Sequence, residues 1–319
     1  MRKTVNREHI EGYLFDFDLA VKTVQREDSQ NYGKEFINGS VDIQTDEAGL
    51  NVITIHYTYV TPTTKTGAEN KTYKALKAII DSGKTVVLDG KENATKVSAD
   101  TSIAVNDFYT EVNGEEALVT FERNEGGFIS LLNKELKADE KQRKSFEIDV
   151  LLTNAKLIEK DEEKGISADY LALRGAAFNF RGDLIPVRMN CRKPSGIKYF
   201  ESMEISTKEP LFTRVFGTIE NQTIVKRTEI ESAFGDPVVK EYTTNVREWL
   251  IDNCQAESYP IDDAEQGVTL DELKKATAAR EVYLAEVKKK QEEYKASKKQ
   301  ATSATNKTEE KIKDGDFDF

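Results

Sequence analysis

Two runs of alternating apolar and polar residues within Lys34–Val60 constrain the fold of this chain more than any other feature. Phe36–Ile43 and Val52–Val60 alternate with a period of two and are rich in β-branched and aromatic residues. This pattern is typical of strands that bury one face and expose the other. A turn-forming cluster around Gly49 separates the runs. The segment is therefore predicted to form two long antiparallel strands, of the kind found at the centre of a small barrel.

The elements on either side of this ribbon give the first half of the chain an ordered pattern. A strand is predicted at 11–24, a short helix at 71–83, and further strands at Lys84–Leu88, Ser102–Val112 and Glu116–Glu122. Asn113-Gly114 between the last two is a strong hairpin signal. Apart from the short strand at Lys84–Leu88, this order of three strands, a helix and two more strands is that of an OB-fold. Residues 1–135 thus resemble an OB-fold domain.

The second half, residues 146–260, is predicted to form another β-rich, OB-like domain. It follows a charged connector at 134–145, and the strand that begins at Phe146 resembles the first strand of the chain. A late hairpin is predicted around Glu220-Asn221, and a closing helix around Trp249. The fold class is therefore mainly β, with two OB-fold-like antiparallel barrels.

The composition changes beyond residue 260. Residues 261–300 are rich in Ala, Glu and Lys and are predicted to form a C-terminal helix, which a capping box of Thr269 and Glu272 begins. Residues 301–319 are polar and of low complexity, and are predicted to be a disordered acidic tail.

The bulk composition restricts the function. The net charge of -11 argues against indiscriminate binding to DNA or membranes, although a locally basic groove remains compatible with it. No stretch approaches the ~20 apolar residues of a membrane span. Cys191 and Cys254 lack partners at metal-ligand spacing, which is typical of reduced thiols in an intracellular protein. A cytoplasmic location is expected.

The sequence offers no catalytic arrangement. His9 and His56 are the only histidines, and neither belongs to a recognisable triad. Gly83-Lys84-Thr85 resembles the end of a phosphate-binding loop, but a helix end followed by a strand explains it better. Asp16 and Asp18 share a strand face, so a divalent metal is an alternative to a solvated acidic face. We therefore predict no catalytic residue, no cofactor and no metal.

The last residues of the chain combine carboxylates with exposed rings. Large aromatic side chains at the end of a disordered tail have no core to pack in, which favours an anchor for the pocket of a partner over a merely solvating tail. Tandem OB-like units, a polar linker and this tip resemble the single-stranded-DNA-binding proteins of bacteria and, more closely, of their phages. The resemblance implies that the barrels hold single-stranded DNA, and that the tip recruits replication, recombination and repair proteins in the host cytoplasm. The implied partner-binding residues are Asp316, Phe317, Asp318 and Phe319.

Binding of single strands without sequence preference requires aromatic platforms along a basic track. The span Arg174–Phe200 is the most basic and aromatic-interleaved part of the chain. The candidates in the first domain are Tyr32, Lys34, Phe36, Tyr57, Tyr59 and Lys65. The candidates in the second domain are Phe178, Phe180, Arg181, Arg188, Arg192, Lys193, Lys198, Tyr199, Arg214 and Phe216.

The sequence therefore favours a single-stranded DNA-binding protein without enzymatic activity. Two alternatives stay open. One is a β-rich structural or assembly protein of a virion that does not bind nucleic acid. The other is an accessory factor that recruits enzymes through its helix and tail and binds DNA only weakly. The sequence does not predict the oligomeric state.

Overall fold

The computed structural model describes residues 1–161, 166–230 and 238–310, and within these ranges the side chains outside 222–245 and 297–310. This part of the chain is mainly β and ends in a long helix. The strands are β1 (Asn6–Thr23), β2 (Glu35–Gln44), β3 (Val52–Val60), β4 (Lys96–Val112), β5 (Glu115–Leu131), β6 (Lys144–Ile158), β7 (Tyr170–Phe178), β8 (Leu184–Cys191), β9 (Leu211–Ile230) and β10 (Val238–Cys254). The helices are α1 (Lys71–Ser82), α2 (Val86–Asp89), α3 (Pro194–Ser202) and α4 (Leu270–Glu310), with a 3-10 turn at Glu140–Arg143.

The strand pairings close each half of the chain into a ring of five strands. In the first half β1 pairs with β2, β2 with β3, β3 with β5 in parallel, β5 with β4, and β4 returns to β1. In the second half β6, β7, β8, β10 and β9 repeat this order, with β8 and β10 parallel and β9 returning to β6. We call these halves ring 1 (β1–β5) and ring 2 (β6–β10). Antiparallel pairing of β1 with β6 joins the rings into one sheet.

The period-two alternation of the sequence fills the interior of both rings. In ring 1, Val41, Ile43 and Ile55 are fully buried, whereas the intervening Asp42 and Thr54 are only half-buried. Ring 2 alternates in the same way along β7 and β8. Burial of apolar surface, worth about 25 cal/mol per Å², therefore orients every strand and decides which side chains lie outside.

A helix lies between the third and fourth strands in both rings, so the predicted helix after the third strand of the first half is confirmed. The side chain of Asn70 caps α1 by accepting from the amide of Thr72, and Leu76 and Ile79 of α1 are buried. In ring 2, α3 occupies the same place in the order and buries Phe200. The predicted hairpin at Asn113-Gly114 is also confirmed, since both residues have positive φ angles, 54° and 86°.

Helix α4 packs along the hairpin of β4 and β5. Its predicted capping box is confirmed, because the amide of Glu272 donates to Thr269 Oγ1 over 3.3 Å and the amide of Thr269 donates to Glu272 Oε2 over 2.9 Å. Further along, Arg280 forms an ion pair with Asp107 at 2.8 Å. Polar contacts of this kind hold the first half of α4 against ring 1.

The predicted strand at Lys84–Leu88 is wrong. Thr85 instead caps α2, accepting from the amide of Leu88 over 3.1 Å. Leu88 is 83% exposed rather than buried. The local capping interaction therefore overrides the β-branched composition of this segment.

Two predictions in ring 2 are also wrong. Glu220-Asn221 does not form a turn but lies within β9, because both side chains bond across to ring 1: Asn51 Nδ2 donates to Glu220 Oε2 over 2.9 Å and Asn221 Nδ2 donates to the carbonyl of Val52. Trp249 lies in β10 rather than in a helix, and it pairs with Ile219 of β9. The polar residues Glu220 and Asn221 resembled a turn in the sequence, but their side chains form hydrogen bonds between the two rings.

The C-terminal helix is longer than predicted. α4 continues to Glu310, so it includes residues that were assigned to the tail. The predicted tip, Asp316 to Phe319, lies outside the described residues. Among the described residues, no helix is both long and apolar enough to cross a membrane.

A buried carboxyl group lies where the two rings meet. Glu8 of β1 is fully buried and accepts hydrogen bonds from Trp249 Nε1 at 2.8 Å and Thr101 Oγ1 at 2.8 Å. Burial is the main cause that raises the pKa of Glu8 to about 7, against the opposing effects of these donors and of Arg247. Arg247 also lies over the ring of Trp249, at 4.8 Å from its centroid. The contact between the rings is thus sensitive to the charge of one group.

We predict that ionisation of Glu8 destabilises the fold. The pKa of Glu8 rises from 4.5 to about 7 on folding. The fold therefore has its full stability below pH 4.5, and the contribution of protonated Glu8 is lost as the pH rises through 7. The loss amounts to about 3 kcal/mol. Urea unfolding across this pH range should show that Glu8→Gln removes this loss, while Glu111→Gln, at an exposed position, keeps it. Parallel stability profiles for wild type and Glu8→Gln would contradict the assignment.

Candidate nucleic-acid interface

The outer surface of β6, β7 and β8 carries a concentration of positive charge. Because Leu171 and Leu173 point into ring 2, Arg174 points outward. In register with it lie Asn154 of β6 and Arg188 of β8. The neighbouring rows add further cations and one aromatic ring. We call this surface the basic face, which consists of Lys156, Tyr170, Arg174, Arg188 and Arg192.

Acidic residues pair with the basic face on the side of β8. Arg188 lies 3.8 Å from Glu122 of β5, and Arg192 lies 2.8 Å from Glu248 of β10. The guanidinium of Arg192 also lies over the ring of Tyr170, at 5.1 Å from its centroid. Lys156 and Arg174 are exposed and form no ion pair within the described part of the chain. The charge of the face is therefore least compensated over β6 and β7.

Ring 1 carries the opposite charge at the corresponding positions. β1 and β6 both contain a bulge, between Leu14 and Asp16 in β1 and between Leu152 and Asn154 in β6. In the first row after the bulge, Asp16 pairs with Asp42 in ring 1, where ring 2 has Asn154 and Arg174. In the second row Asp18 stands where ring 2 has Lys156. We call the set of Asp16, Asp18 and Asp42 the acidic face.

The acidic face is electrostatically strained. The side chain of Asp42 is half-buried, and its Oδ1 atom is buried without a hydrogen-bond partner in the described structure. Burial is the main cause that raises the pKa of Asp42, and the carboxylate of Asp16 adds to it. Burial likewise lowers the pKa of the nearby His56. A phosphate backbone would be repelled here, which argues against a binding groove on ring 1.

The candidates of the first domain are scattered and do not form a track. Tyr57 is 1% exposed, so its selection as a stacking platform is wrong: its ring fills the interior of ring 1. Phe36 and Tyr59 contact each other with centroids 4.7 Å apart at the end of β2 and β3. Tyr32 and Lys34 lie in the exposed loop between β1 and β2, and Lys65 lies in the exposed loop after β3.

Two candidates of the second domain have structural roles instead. Phe178 points outward but is 1% exposed, because Val268 and the segment before α4 cover it. Arg214 forms a bidentate ion pair with the buried Asp149, at 2.6 and 3.1 Å. This pairing raises the pKa of Arg214 further. The selection of Phe178 as a stacking platform is therefore wrong, whereas the selection of Arg214 stays a prediction.

The other candidates of the second domain lie around the basic face rather than on it. Arg188 and Arg192 are the two that belong to it. Phe180, 91% exposed, projects with Arg181 from the turn between β7 and β8. Phe216 lies on β9, away from the face. Lys193 is paired with Asp252 at 3.0 Å, and Lys198 and Tyr199 lie on α3.

The sequence analysis missed three members of the basic face: Lys156, Tyr170 and Arg174. Alternation along β7 places Tyr170 and Arg174 on one side, so that signal was present. Lys156 could not be assigned, because its contribution depends on the bulge in β6 and on the register of β6 with β7.

The two cysteines are closer in the fold than in the sequence. Both line a cavity of about 220 Å³ beside α3. Burial is the main cause that raises the pKa of both thiols, so neither is activated as a nucleophile. The described residues contain no cluster of three or more side chains suited to hold a metal ion.

These features define a β-rich protein of two repeated five-stranded rings, of which one carries a basic sheet face. The chain belongs to the YorF family, whose model matches residues 6–293. A search of curated proteins gives no match. Among solved structures, the chain is similar to the single-stranded DNA binding protein from Thermus aquaticus, with a TM-score of 0.47 and 10% identity, over 83% of this chain and 98% of that one.

Two phenylalanines that are two residues apart should respond differently to substitution. We predict that Phe178→Ala lowers the free energy of unfolding by about 3–5 kcal/mol, because it leaves a cavity beneath Val268. Phe180→Ala, at a position that is 91% exposed, should change it by at most about 0.5 kcal/mol. Denaturant unfolding measures both values. Equal effects would mean that the cover over Phe178 is absent in solution.

Proposed function

We propose that this protein binds single-stranded DNA on the basic face of ring 2 and has no enzymatic activity. In this proposal both rings are OB-fold barrels, and only the second acts as the binding module. The observation that carries it is the row of Arg174 and Arg188, in register on adjacent strands beside Lys156 and Tyr170. Strands two and three are the surface on which OB-folds bind oligonucleotides.

The chemistry of the basic face suits an unpaired strand. Guanidinium groups bind phosphate oxygens with two parallel hydrogen bonds. Tyr170 is half-buried, with Arg192 over its ring, and offers a platform for a base, worth about 1–3 kcal/mol. Few aromatic rings lie on the face, so phosphate contacts supply most of the affinity and make it strongly dependent on salt.

The acidic face limits the binding to one ring of each chain. Asp16, Asp18 and Asp42 occupy the positions that carry cations or neutral groups in ring 2. A site of one barrel covers about 4–16 nucleotides. Coating of a long strand would therefore require many copies, each contributing one barrel.

Recruitment of replication, recombination and repair proteins is the second part of the proposal. It rests on the sequence of the tip, where Phe317 and the terminal Phe319 alternate with carboxylates. The tip follows α4 in the chain. This role, and a location in the cytoplasm of a bacterial cell, follow from the family resemblance of the sequence.

We predict that the double variant Arg174→Ala/Arg188→Ala weakens binding to a dT oligomer. Loss of two phosphate contacts should reduce the salt slope, d log K/d log[salt], by about 1.4 in magnitude, at about 0.7 per contact. The matched control is Lys34→Ala/Lys65→Ala in ring 1, which should leave both affinity and slope unchanged. Fluorescence anisotropy of a labelled oligomer measures them. Trp249 is unsuitable as a reporter, since it is 2% exposed.

The outcome also separates the proposal from its rivals. Absence of binding at low salt, even after removal of residues 311–319, would exclude DNA binding and favour a structural role. Equal weakening by the ring 1 and ring 2 variants would place the strand elsewhere. Preference for double-stranded DNA would contradict the proposed stacking on Tyr170.

We further predict that removal of Phe317–Phe319 abolishes capture of replication proteins from a bacterial extract without weakening binding to DNA. The truncated chain would lose the two phenylalanines that contact the pocket of the partner, while the basic face stays intact. A pull-down with and without these residues tests this. The matched control replaces both phenylalanines by tyrosine, which keeps rings of similar size. Undiminished capture by the truncated chain would assign recruitment to another surface.

A further inference from the structure

Each ring presents a pair of like charges at a row next to its bulge. In ring 1, Asp16 lies directly opposite Asp42 on the neighbouring strand. In ring 2, Arg174 lies directly opposite Arg188. Like charges that face each other across two strands destabilise a sheet. Each pair is therefore a site where a partner of opposite charge would relieve repulsion.

The chain itself supplies no counter-charge to the acidic pair. No lysine or arginine forms an ion pair with Asp16 or Asp42 within the described residues. The pKa of the adjacent His56 is lowered, so the imidazole is neutral near pH 7. One buried carboxylate oxygen of Asp42 has no described donor. The carboxylate of Asp16 is exposed and is the member of the pair that a cation from outside can reach.

A second copy of this chain is the partner whose chemistry and spacing fit. Two positions of the acidic face, Asp18 and Asp42, correspond to Lys156 and Arg174 of the basic face, and neighbouring strands of both rings lie about 4.8 Å apart. Arginine and lysine would then meet carboxylates, the geometry that gives paired hydrogen bonds. Within one copy the described residues of the two faces make no contact, and the pairing of β1 with β6 fixes the rings.

We propose that the acidic face of ring 1 binds the basic face of ring 2 of a second copy, so that the chain associates head to tail. Such a contact uses two different surfaces and builds open chains or closed circles of molecules. DNA on the basic face would displace the second copy. That consequence rests on the proposed function, whereas the association itself does not.

Charge reversal provides the test. Variant A is Asp16→Lys/Asp42→Lys, which has two basic faces, and variant B is Arg174→Glu/Arg188→Glu, which has two acidic faces. In sedimentation velocity at low salt without DNA, wild type should form species larger than the monomer that disappear at high salt. A alone and B alone should lose these species. An equimolar mixture of A and B should regain them, because each face then meets its opposite.

The controls separate this contact from general charge effects. Glu111→Lys with Lys65→Glu changes the same kinds of charge at exposed positions outside both faces and should associate like wild type. Asp16→Asn/Asp42→Asn should also lose the larger species, which keeps the test valid if variant A fails to fold by circular dichroism.

Three outcomes would overturn the proposal. They are a monomeric wild type at low salt, larger species in A or B alone, and a mixture of folded A and B that stays monomeric. Association that requires Mg²⁺ and is lost in EDTA would also overturn it, since the aspartates would then hold a metal ion. Failure to bind dT oligomers would refute the DNA-binding proposal and leave these results unaffected.

Discussion

The antiparallel pairing of β1 with β6 is the constraint on which the arrangement of this protein depends. It places Glu8 opposite Phe146, where Trp249 of β10 and Thr101 of β4 both donate to its carboxyl group. One side chain thus connects strands of both rings. Because a buried carboxylate is costly without full compensation, this contact is strong when Glu8 is protonated and weaker when it is ionised.

A hairpin of each ring also contacts the other ring. Glu122 of the β4–β5 hairpin lies 3.8 Å from Arg188 of ring 2, and Arg247 of the β9–β10 hairpin donates to Asn124 of ring 1 over 2.7 Å. The basic face is therefore bordered by a residue of the other ring. Its shape and charge depend on the relative position of the rings, which the pairing at Glu8 holds.

The sequence predicted what depends on local pattern and missed what depends on register. Alternation located the strands of ring 1, and the helical spacing of Tyr73, Leu76 and Ile80 located α1. The prediction of Tyr57 as a platform was wrong because alternation alone does not say which side of a strand is inside. Phe178 is outside its ring, as a platform would be, but a distant segment at Val268 covers it. No local signal in β7 reports a cover that comes from ninety residues away.

The two rings illustrate the same limit in a second way. Their interiors agree, since both need apolar side chains at alternating positions, but their outer faces have opposite charges. Asp42 and Arg174 are related only through the bulges and pairings of their strands, so comparison of the two halves as linear sequences does not align them. A repeated fold therefore preserves the core and leaves the outer charge free to diverge.

The acids that pair with the basic face on the side of β8 constrain how a strand would lie on it. Glu122 and Glu248 pair with Arg188 and Arg192 on the side of β8, so the positive charge is partly compensated there. Arg174 and Lys156, on β7 and β6, form no ion pair among the described residues. Under the proposed function, the backbone of a bound strand would therefore follow β6 and β7, with its bases directed towards Tyr170 and β8. In that proposal Arg174, which was not among the candidates chosen from the sequence, contributes more to phosphate binding than Arg188.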